Sequence, residues 1–464
     1  MQHDTTFVDD LGLAADQISV GDADREERSH DWGTAREDGV RPDVVVWPES
    51  TDDVAAVLRA ATEHGVPVTP YAAGTSLEGN AVPIDGGITL DMTRMDAVLD
   101  VRPDDLQVDV QPGILGDDVN EAVAKHGLFL PSMPASGKIS TIGGMLANDA
   151  SGMKTVKYGE VSDWVLGMEV VLPTGEVITT GSRAVKTSSG YDLGDIVVGS
   201  EGTLGVITRV TIELAGRPAQ VRGGRAHFET LDDAANAVFD AVRSGVDVAK
   251  IELIDRLSAA MSNAHLDTDL PDVPMVFVEF HANHGVEEEI DFCRSVFEAH
   301  NVTEFEVAEN DRGMDELWAA RRELAEALEP YEDHLSPLTP GDVTVPISEY
   351  PGIIRYAKEL AEEEDFLIPC FGHAGDGNLH YAVMVDPDDP EDVAHGKEVS
   401  RKIVERAIEL GGTSTGEHGV GLGKQDYLVA EHGEAAVDAM RSIKHALDPA
   451  GIMNPGKVFD GPNR

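Results

Sequence analysis

Hydrophobic and polar positions alternate with two periods along this chain, and each switch between them marks an element. Val44-Val45-Val46-Trp47-Pro48 reads as a buried strand, Ser50 or Thr51 caps an amphipathic helix from Asp52 to His64, and Val66-Pro67-Val68-Thr69-Pro70 reads as the next strand. That is a βαβ opening from Pro42 onward, preceded over residues 1–41 by short, acidic, helical surface material. A strand from Ile207 to Leu214 follows later. Past Ala215 helices and strands alternate: helix Leu231–Arg243, strands Ala249–Ile254 and Met275–Phe280, helix Glu287–His300, strand Thr303–Ala308. This pattern predicts a two-layer sheet-and-helix domain. A helix over Asp315–Leu328, a proline-rich loop, Val343-Thr344-Val345-Pro346, a helix over Pro351–Glu364 and a strand entering Gly372 come next; the chain closes on a helix over Val437–Leu447 and a loop over Asp448–Lys457. No internal repeat or low-complexity tract interrupts this order.

Three tracts of small residues fall in the first half. Tyr71 to Asn80 directly follows a strand, Pro134 to Gly152 is longer and richer, and Val198 to Ile207 precedes another strand. Backbone N–H groups without bulky neighbours can approach a phosphate, and three such tracts favour a large nucleotide cofactor over ordinary turns. None is a GxGxxG fingerprint or a GxxxxGK[ST] loop, so neither a Rossmann nor a P-loop assignment is supported.

At 464 residues the chain has room for two or three domains. Lys and Arg number 35 against 86 Asp and Glu, a formal net charge of -51, which disfavours nucleic acid and anionic lipid as partners. The acidity is spread along the chain, and hydrophobic residues still make up 41%, so disorder explains it poorly and adaptation to concentrated salt explains it well. The Debye length falls to ~3 Å at 1 M salt, so self-repulsion is screened there; unfolding or inactivation on dialysis into dilute buffer is the expected result, read by activity and circular dichroism. Cys293 and Cys370 are the only cysteines, which excludes a disulfide framework and a thiolate cluster for iron-sulfur centres. With no basic, apolar leader at Met1 and no run approaching ~20 apolar residues, the chain reads as soluble and cytoplasmic, peripheral to a membrane only through an electron-accepting partner.

Gly372-His373-Ala374-Gly375-Asp376-Gly377-Asn378-Leu379-His380 and Gly416-Glu417-His418-Gly419-Val420-Gly421 carry the candidate chemistry. His373, His380 and Glu417 are ligands of the kind that Zn2+ and related divalent ions accept, with coordination positions left for a substrate, and His418 adjoins the third. Gly375-Asp376-Gly377-Asn378 is a turn signal and Leu379–Val385 alternates like a strand, so His373 and His380 are expected to face each other across a tight connection.

Together these residues resemble the FAD-linked 2-hydroxyacid dehydrogenases, a family that includes D-lactate dehydrogenases, the flavin subunit of glycolate oxidase and D-2-hydroxyglutarate dehydrogenase. The resemblance runs from Ser29-His30-Asp31 to Asn454-Pro455-Gly456-Lys457 through GTSLEG (Gly74–Gly79), IGGM to NDASG (Ile142–Gly152), VGSEGTLGVIT (Val198–Thr208), GHAGDGNLH, GEHGVG and DPAGIMNPGK (Asp448–Lys457). It implies an α+β chain: an FAD-binding domain of two subdomains, vanillyl-alcohol-oxidase type, over 1–217 with an N-terminal extension 1–41, and a C-terminal α+β cap domain over 218–464 whose tail 422–464 returns to the flavin. On this resemblance Gly74, Thr75, Ser76, Gly79 and Asn80 form the first pyrophosphate loop, and Pro134, Ser136, Gly137, Thr141, Gly143, Gly144, Asn148, Ala150 and Gly152 the second. Gly202, Val206 and Ile207 approach the isoalloxazine and adenine portions, with Asn454 in the returning tail. Tyr71–Asn80 lacks the histidine by which some relatives tether the flavin, so noncovalent FAD is expected.

The chemistry that the resemblance implies is oxidation of a D-2-hydroxyacid. A divalent ion (Zn2+, with Mn2+ and Fe2+ as alternatives) on His373, His380 and Glu417 lowers the hydroxyl pKa, His418 takes the proton, and hydride passes to flavin N5. By family position Arg321, on the helix Leu317-Trp318-Ala319-Ala320-Arg321-Arg322, clamps the substrate carboxylate, an ion pair with Glu323 or Asp315 being the alternative. Relatives acting on 2-hydroxyglutarate carry polar groups one turn on and a lysine beyond; Ala325 and the lysine-free loop His334–Asp342 favour a small monocarboxylate such as D-lactate, with a diacid left open by Arg321 and Arg322. The electron acceptor is a quinone, a cytochrome, an electron-transfer flavoprotein or an iron-sulfur subunit, and a homodimer is left open. From other classes, a flavin-dependent non-redox transferase and a non-catalytic metal-binding assembly subunit remain.

Overall fold

In the computed structural model, residues 3–459 are described apart from 267, 309–312, 315–317, 319–320, 322–323, 325–326, 329–330 and 333. The chain divides into two compact units: Met1–Ser151, Glu160–Arg217 and Glu417–Arg464 form the first, Gly152–Gly159 and Pro218–Gly416 the second.

The first unit holds a four-stranded and a five-stranded sheet, each with its own core, and a two-stranded pair of Leu128–Phe129 with Ala215–Gly216. The strand Val44–Val46 is buried on both faces, as its unbroken valines require, and Ser50 Oγ accepts from the Asp53 amide at 3.2 Å to start the helix Thr51–His64, which Gly65 ends at φ 64°. The strand Val68–Tyr71 runs parallel to its neighbour, but Val44–Val46 and Val68–Tyr71 do not pair with each other. Ile88–Asp91 lies between them, in the order Ile18–Ser19, Val44–Val46, Ile88–Asp91, Val68–Tyr71. The βαβ reading holds for direction and is corrected for adjacency: a crossover helix leaves room for a strand that arrives later in the chain. Val54, Leu58, Val68, Ile88 and Leu90 fill this core. The second sheet, ordered Val98–Arg102, Gln107–Val110, Val206–Glu213, Val165–Val171, Val177–Gly181, is antiparallel and covers a core of Val108, Val119, Ile142, Leu146 and Val210.

The tail is helical over Glu434–Leu447, and buried charge pins the loop beyond that helix. Lys444 Nζ donates to Asp448 Oδ2 at 2.5 Å, Thr203 O at 2.7 Å and Met453 O at 2.9 Å. The loop then bonds through its backbone to the strand Val68–Tyr71, Val68 N donating to Ile452 O and Asn454 N to Val68 O, both at 2.8 Å.

The second unit is built on a seven-stranded antiparallel sheet in the order Val302–Val307, Gln220–Phe228, Met275–Ala282, Lys250–Ile254, Cys370–Gly372, Asn378–Tyr381, Gly341–Thr344. The helices Leu231–Ser244, Val286–Glu298 and Tyr350–Glu363 form where the apolar period predicts them, the first capped by Thr230 Oγ1 accepting from Asp233 N at 3.1 Å and ended by Gly245. The segment Leu379–Val385 is not one alternating strand: Asn378–Tyr381 pairs in the main sheet, Met384–Val385 pairs with Ser336–Pro337, and every residue of Asn378–Val385 is buried. With protein on both sides its apolar alternation records two kinds of interior rather than core against solvent. Of the helix expected over Asp315–Leu328, Trp318 and Arg321 are helical, whereas Asp315, Leu317, Ala319, Ala320, Arg322, Glu323 and Ala325 lie outside the described residues. Among the described residues no helix is long and apolar enough to cross a membrane.

Candidate active site

Antiparallel register assembles the polar row of the second unit. Residues directly opposite one another point to the same face, so Glu252, opposite Phe277, shares its face with Ile254, which lies opposite Phe371; Phe371 lies opposite His380, and His380 opposite Asp342. His373, one residue past the strand, joins this row: its Nδ1 lies 2.8 Å from Glu252 Oε1, and its ring centroid is 5.1 Å from that of His380 with the planes at 89°. The two imidazoles expected to face each other do so. The turn between them is tight because Gly375 fits against Ile251 and Val156 and Gly377 adopts φ 82° against Val345; a side chain at either would displace the neighbour or strain the backbone.

Each imidazole is backed by a buried carboxylate that the sequence reading did not single out. Glu252 is fully buried and also pairs with Arg321 Nη2 at 2.5 Å. Burial raises its pKa, but the charges of His373 and Arg321 outweigh this and hold it below the ordinary carboxylate range. Asp342 Oδ1 lies 3.7 Å from His380 Nδ1 and accepts from Asn378 Nδ2 at 2.7 Å; its Oδ2 accepts from Gly416 N at 2.8 Å and Thr415 Oγ1 at 3.1 Å. Glu252 on His373 Nδ1 selects the tautomer that offers the other ring nitrogen to a metal, so this imidazole fits a divalent ion; Asp342 lies near His380 Nδ1 but beyond hydrogen-bond distance. Arg321, 6% exposed, stacks over the Phe371 ring at 5.4 Å, and its Nε is buried with no hydrogen-bond partner among the described residues.

The same face continues into a second charged group. Glu279 pairs with Lys250 Nζ at 3.0 Å and His281 Nε2 at 2.8 Å, and His281 Nδ1 meets Tyr158 Oη at 2.9 Å. Burial raises the Glu279 pKa, but the bond to His281 and the charge of Lys250 prevail and bring it down to about 2. Because the folded value lies below the unfolded one, near ~4.3, the group stabilises the fold fully above that pH and the contribution fades as pH falls toward about 2. Urea midpoints measured between about pH 5 and 2.5 should therefore fall less steeply in Glu279→Gln than in the wild type; parallel slopes would show the pair contributes nothing.

In the first unit the loop Glu417–Gly421 is held by its backbone. The His418 carbonyl accepts from Asn148 Nδ2 at 2.9 Å and Asn80 Nδ2 at 3.4 Å, while Val420 N and Gly421 N donate to Glu201 Oε1 and Oε2 at 2.6 and 2.9 Å. Ser151 Oγ donates to Glu417 Oε2 at 3.1 Å, and His418 Nδ1 lies 3.9 Å from Glu78 Oε1. Asn454 Nδ2 ties Asn80 O and Glu201 O together at 2.9 and 2.7 Å. The expected flavin loops meet here as well: Thr75 Oγ1 lies 3.2 Å from Ser140 Oγ, which is 2.8 Å from Ser136 Oγ, and Ser76 Oγ donates to Asp31 Oδ2 at 2.7 Å.

The glycines of these loops divide by cause. A Cβ on Gly74, Gly143 or Gly202 would collide with Tyr71, Pro112 or Pro70, and one on Gly79 or Gly137 would press on Leu422 or Met133, so protein packing alone demands several of them. Gly144 is exposed, its nearest neighbour being the capping Thr141 Oγ1 at 3.2 Å. Pro134 O closes a turn with Gly137 N at 3.0 Å, and Ala150 N returns to Met145 O at 2.8 Å. Gly152 belongs to the second unit, where its amide donates to Thr155 Oγ1 at 3.0 Å. Val206 and Ile207 bury their side chains in the two cores of the first unit, leaving only backbone for a ligand.

Residues 42–181 match the FAD binding domain, and residues 217–458 match the C-terminal domain of FAD linked oxidases. The chain belongs to the FAD-linked oxidase family. A mitochondrial D-lactate dehydrogenase [cytochrome] of Arabidopsis thaliana is 38% identical over 90% of this chain and 73% of its own. Glycolate oxidase subunit GlcD of Bacillus subtilis is 36% identical over 90% and 89%. Among solved structures, 4-ethylphenol oxidase from Gulosibacter chungangensis has a TM-score of 0.79 at 19% identity over 98% of this chain and 97% of that one, and p-cresol methylhydroxylase 0.78 at 17% over 98% and 96%. The fold is therefore the α+β, vanillyl-alcohol-oxidase type with an FAD domain and a C-terminal cap, and this family member is an FAD-dependent oxidoreductase.

Proposed function

We propose that this enzyme oxidises a small D-2-hydroxyacid, D-lactate foremost, to the 2-oxoacid. The observation that carries the reading is the polar row of the second unit: two imidazoles 5.1 Å apart, each beside a buried carboxylate, on the face that also bears a buried guanidinium with an unpartnered Nε among the described residues. The Arabidopsis relative's name supports D-lactate as substrate and a cytochrome as electron acceptor.

In this reading FAD, held noncovalently by the small-residue loops, supplies the two-electron acceptor when bound. His373, His380 and Glu417 would hold a divalent ion, Zn2+ by donor type with Mn2+ or Fe2+ as alternatives, supplying Lewis acidity toward the substrate hydroxyl. Glu252 orients His373 and holds Arg321 in place; Arg321 binds the substrate carboxylate through its remaining N–H groups. His418 accepts the hydroxyl proton.

Anaerobic mixing with a panel of D- and L-2-hydroxyacids and glycolate, in high salt and with or without chelator, tests the proposal. D-lactate should bleach the flavin fastest, and chelation should slow it. Fastest bleaching by glycolate would favour the second reading, a glycolate-oxidising flavin subunit, which the Bacillus relative supports. No bleaching by any acid would point to non-redox chemistry. Arg321→Met should raise KM for the acid about 10- to 100-fold, the worth of a hydrogen bond to a charged group, and leave FAD affinity unchanged; an unaltered KM would remove the clamp.

A further inference from the structure

Glu201 takes no part in the proposed chemistry, yet its buried carboxylate accepts three hydrogen bonds, two of them from backbone amides of the loop after His418. It is 5% exposed and sits at φ 53°, a left-handed backbone that a glutamate adopts only at a cost. Oε1 accepts from the Val420 amide at 2.6 Å; Oε2 accepts from the Gly421 amide at 2.9 Å and from Asn80 Nδ2 at 2.7 Å. Its own amide donates to Ala147 O at 2.8 Å and its carbonyl accepts from Asn454 Nδ2 at 2.7 Å. One residue therefore fastens the loop after His418 to three other segments: the first small-residue loop at Asn80, the second at Ala147, and the returning tail at Asn454. Gly419 is fitted to this clamp: at φ 79°, its Cβ would stand 2.8 Å from Asn80 Nδ2, 3.0 Å from Glu201 Oε1 and 3.3 Å from Asn148 Nδ2. Burial raises the Glu201 pKa against the pull of those amides and of Lys457, as expected for a carboxylate kept out of water by its partners.

We infer that Glu201 is a positioning residue for His418, holding the Glu417–Gly421 loop so that the imidazole reaches the substrate hydroxyl in one alignment. The inference rests on the proposed role of His418 as base. Glu201 touches neither substrate nor metal in this reading and acts through backbone. The geometry distinguishes acceptor from donor: Glu201→Gln keeps the shape but turns one oxygen into an N–H group facing N–H donors, so at least one of the three bonds must break.

The test uses the FAD-loaded enzyme in high salt. Hydrogen exchange by mass spectrometry on the peptide spanning 417–421 should show protection of the Val420 and Gly421 amides in the wild type and its loss, by about tenfold or more in rate, in Glu201→Gln. Turnover should fall up to about 100-fold, as for a reacting group misplaced by ~1 Å, while KM for the acid and FAD content stay as they were. Lost protection with unchanged kcat, or retained protection, would overturn the inference. Should Glu201→Gln fail to retain flavin, Gly419→Ala perturbs the same bend from the loop side; the same two measurements then apply, and the same two results count against the clamp. Failure of the base assignment is read separately, from an unimpaired His418→Asn enzyme, whereas amide exchange reports the clamp whatever His418 does.

Discussion

Replacement of His418 by asparagine should lower the rate of flavin reduction by about 10²–10⁴, the usual worth of a positioned general base, without loss of bound FAD. The loop tolerates the change because its backbone carries the fastening: the His418 carbonyl is held by Asn148 and Asn80, and the following amides by Glu201. Asparagine keeps a polar side chain of smaller reach and cannot accept a proton near neutral pH. Stopped-flow reduction by saturating D-lactate separates the step from electron delivery to the acceptor, and the flavin spectrum before mixing reports cofactor content. A rate within about threefold of wild type, under ~1 kcal/mol of barrier, would show that the proton goes elsewhere.

The second large effect is on stability. Glu252→Leu should destabilise the fold by about 3–5 kcal/mol, because it leaves the Arg321 guanidinium buried without its counter-charge and takes away the partner of His373 Nδ1. The double variant Glu252→Leu/Arg321→Met should recover part of that loss, since the uncompensated charge goes with the arginine; chemical denaturation of all three proteins gives the coupling. Strictly additive losses would mean that the pair is not what holds these residues together. Metal titration of Glu252→Gln adds a readout of orientation: an amide can still bond one imidazole nitrogen but does not raise its basicity, so affinity for Zn2+ should drop about 10- to 100-fold.

Much of this protein is legible before any coordinates. Helices such as Leu231–Ser244 and Tyr350–Glu363 follow from apolar positions every third or fourth residue between a cap and a stop, which are local properties. The pairing of His373 with His380 is likewise local, set by a turn of a few residues that only glycine at 375 and 377 permits. Glu252, Asp342 and Glu201 could not be picked out of 86 acidic residues, because nothing near them in sequence tells a buried carboxylate from a solvated one. Asp255, also buried, lies three residues from Glu252 and pairs instead with Lys358.

Alternation along one strand tells which side chains share a face but not which strand lies across from it. The order of the first sheet, with Ile88–Asp91 between two strands that precede it in the chain, is of that kind, and so is the register that brings Asp342 opposite His380. Residue types and short-range spacing by themselves determined many of the helices and strands, the small-residue loops and the candidate imidazoles and glutamate, but not strands such as Gln107–Val110 and Gln220–Phe228 or the helix Pro390–Glu409. Tertiary structure alone decided which carboxylates stand behind those imidazoles and what fastens the His418 loop, since burial and partner choice arise from contacts between segments far apart in sequence, where desolvation makes each charge depend on the one group that meets it.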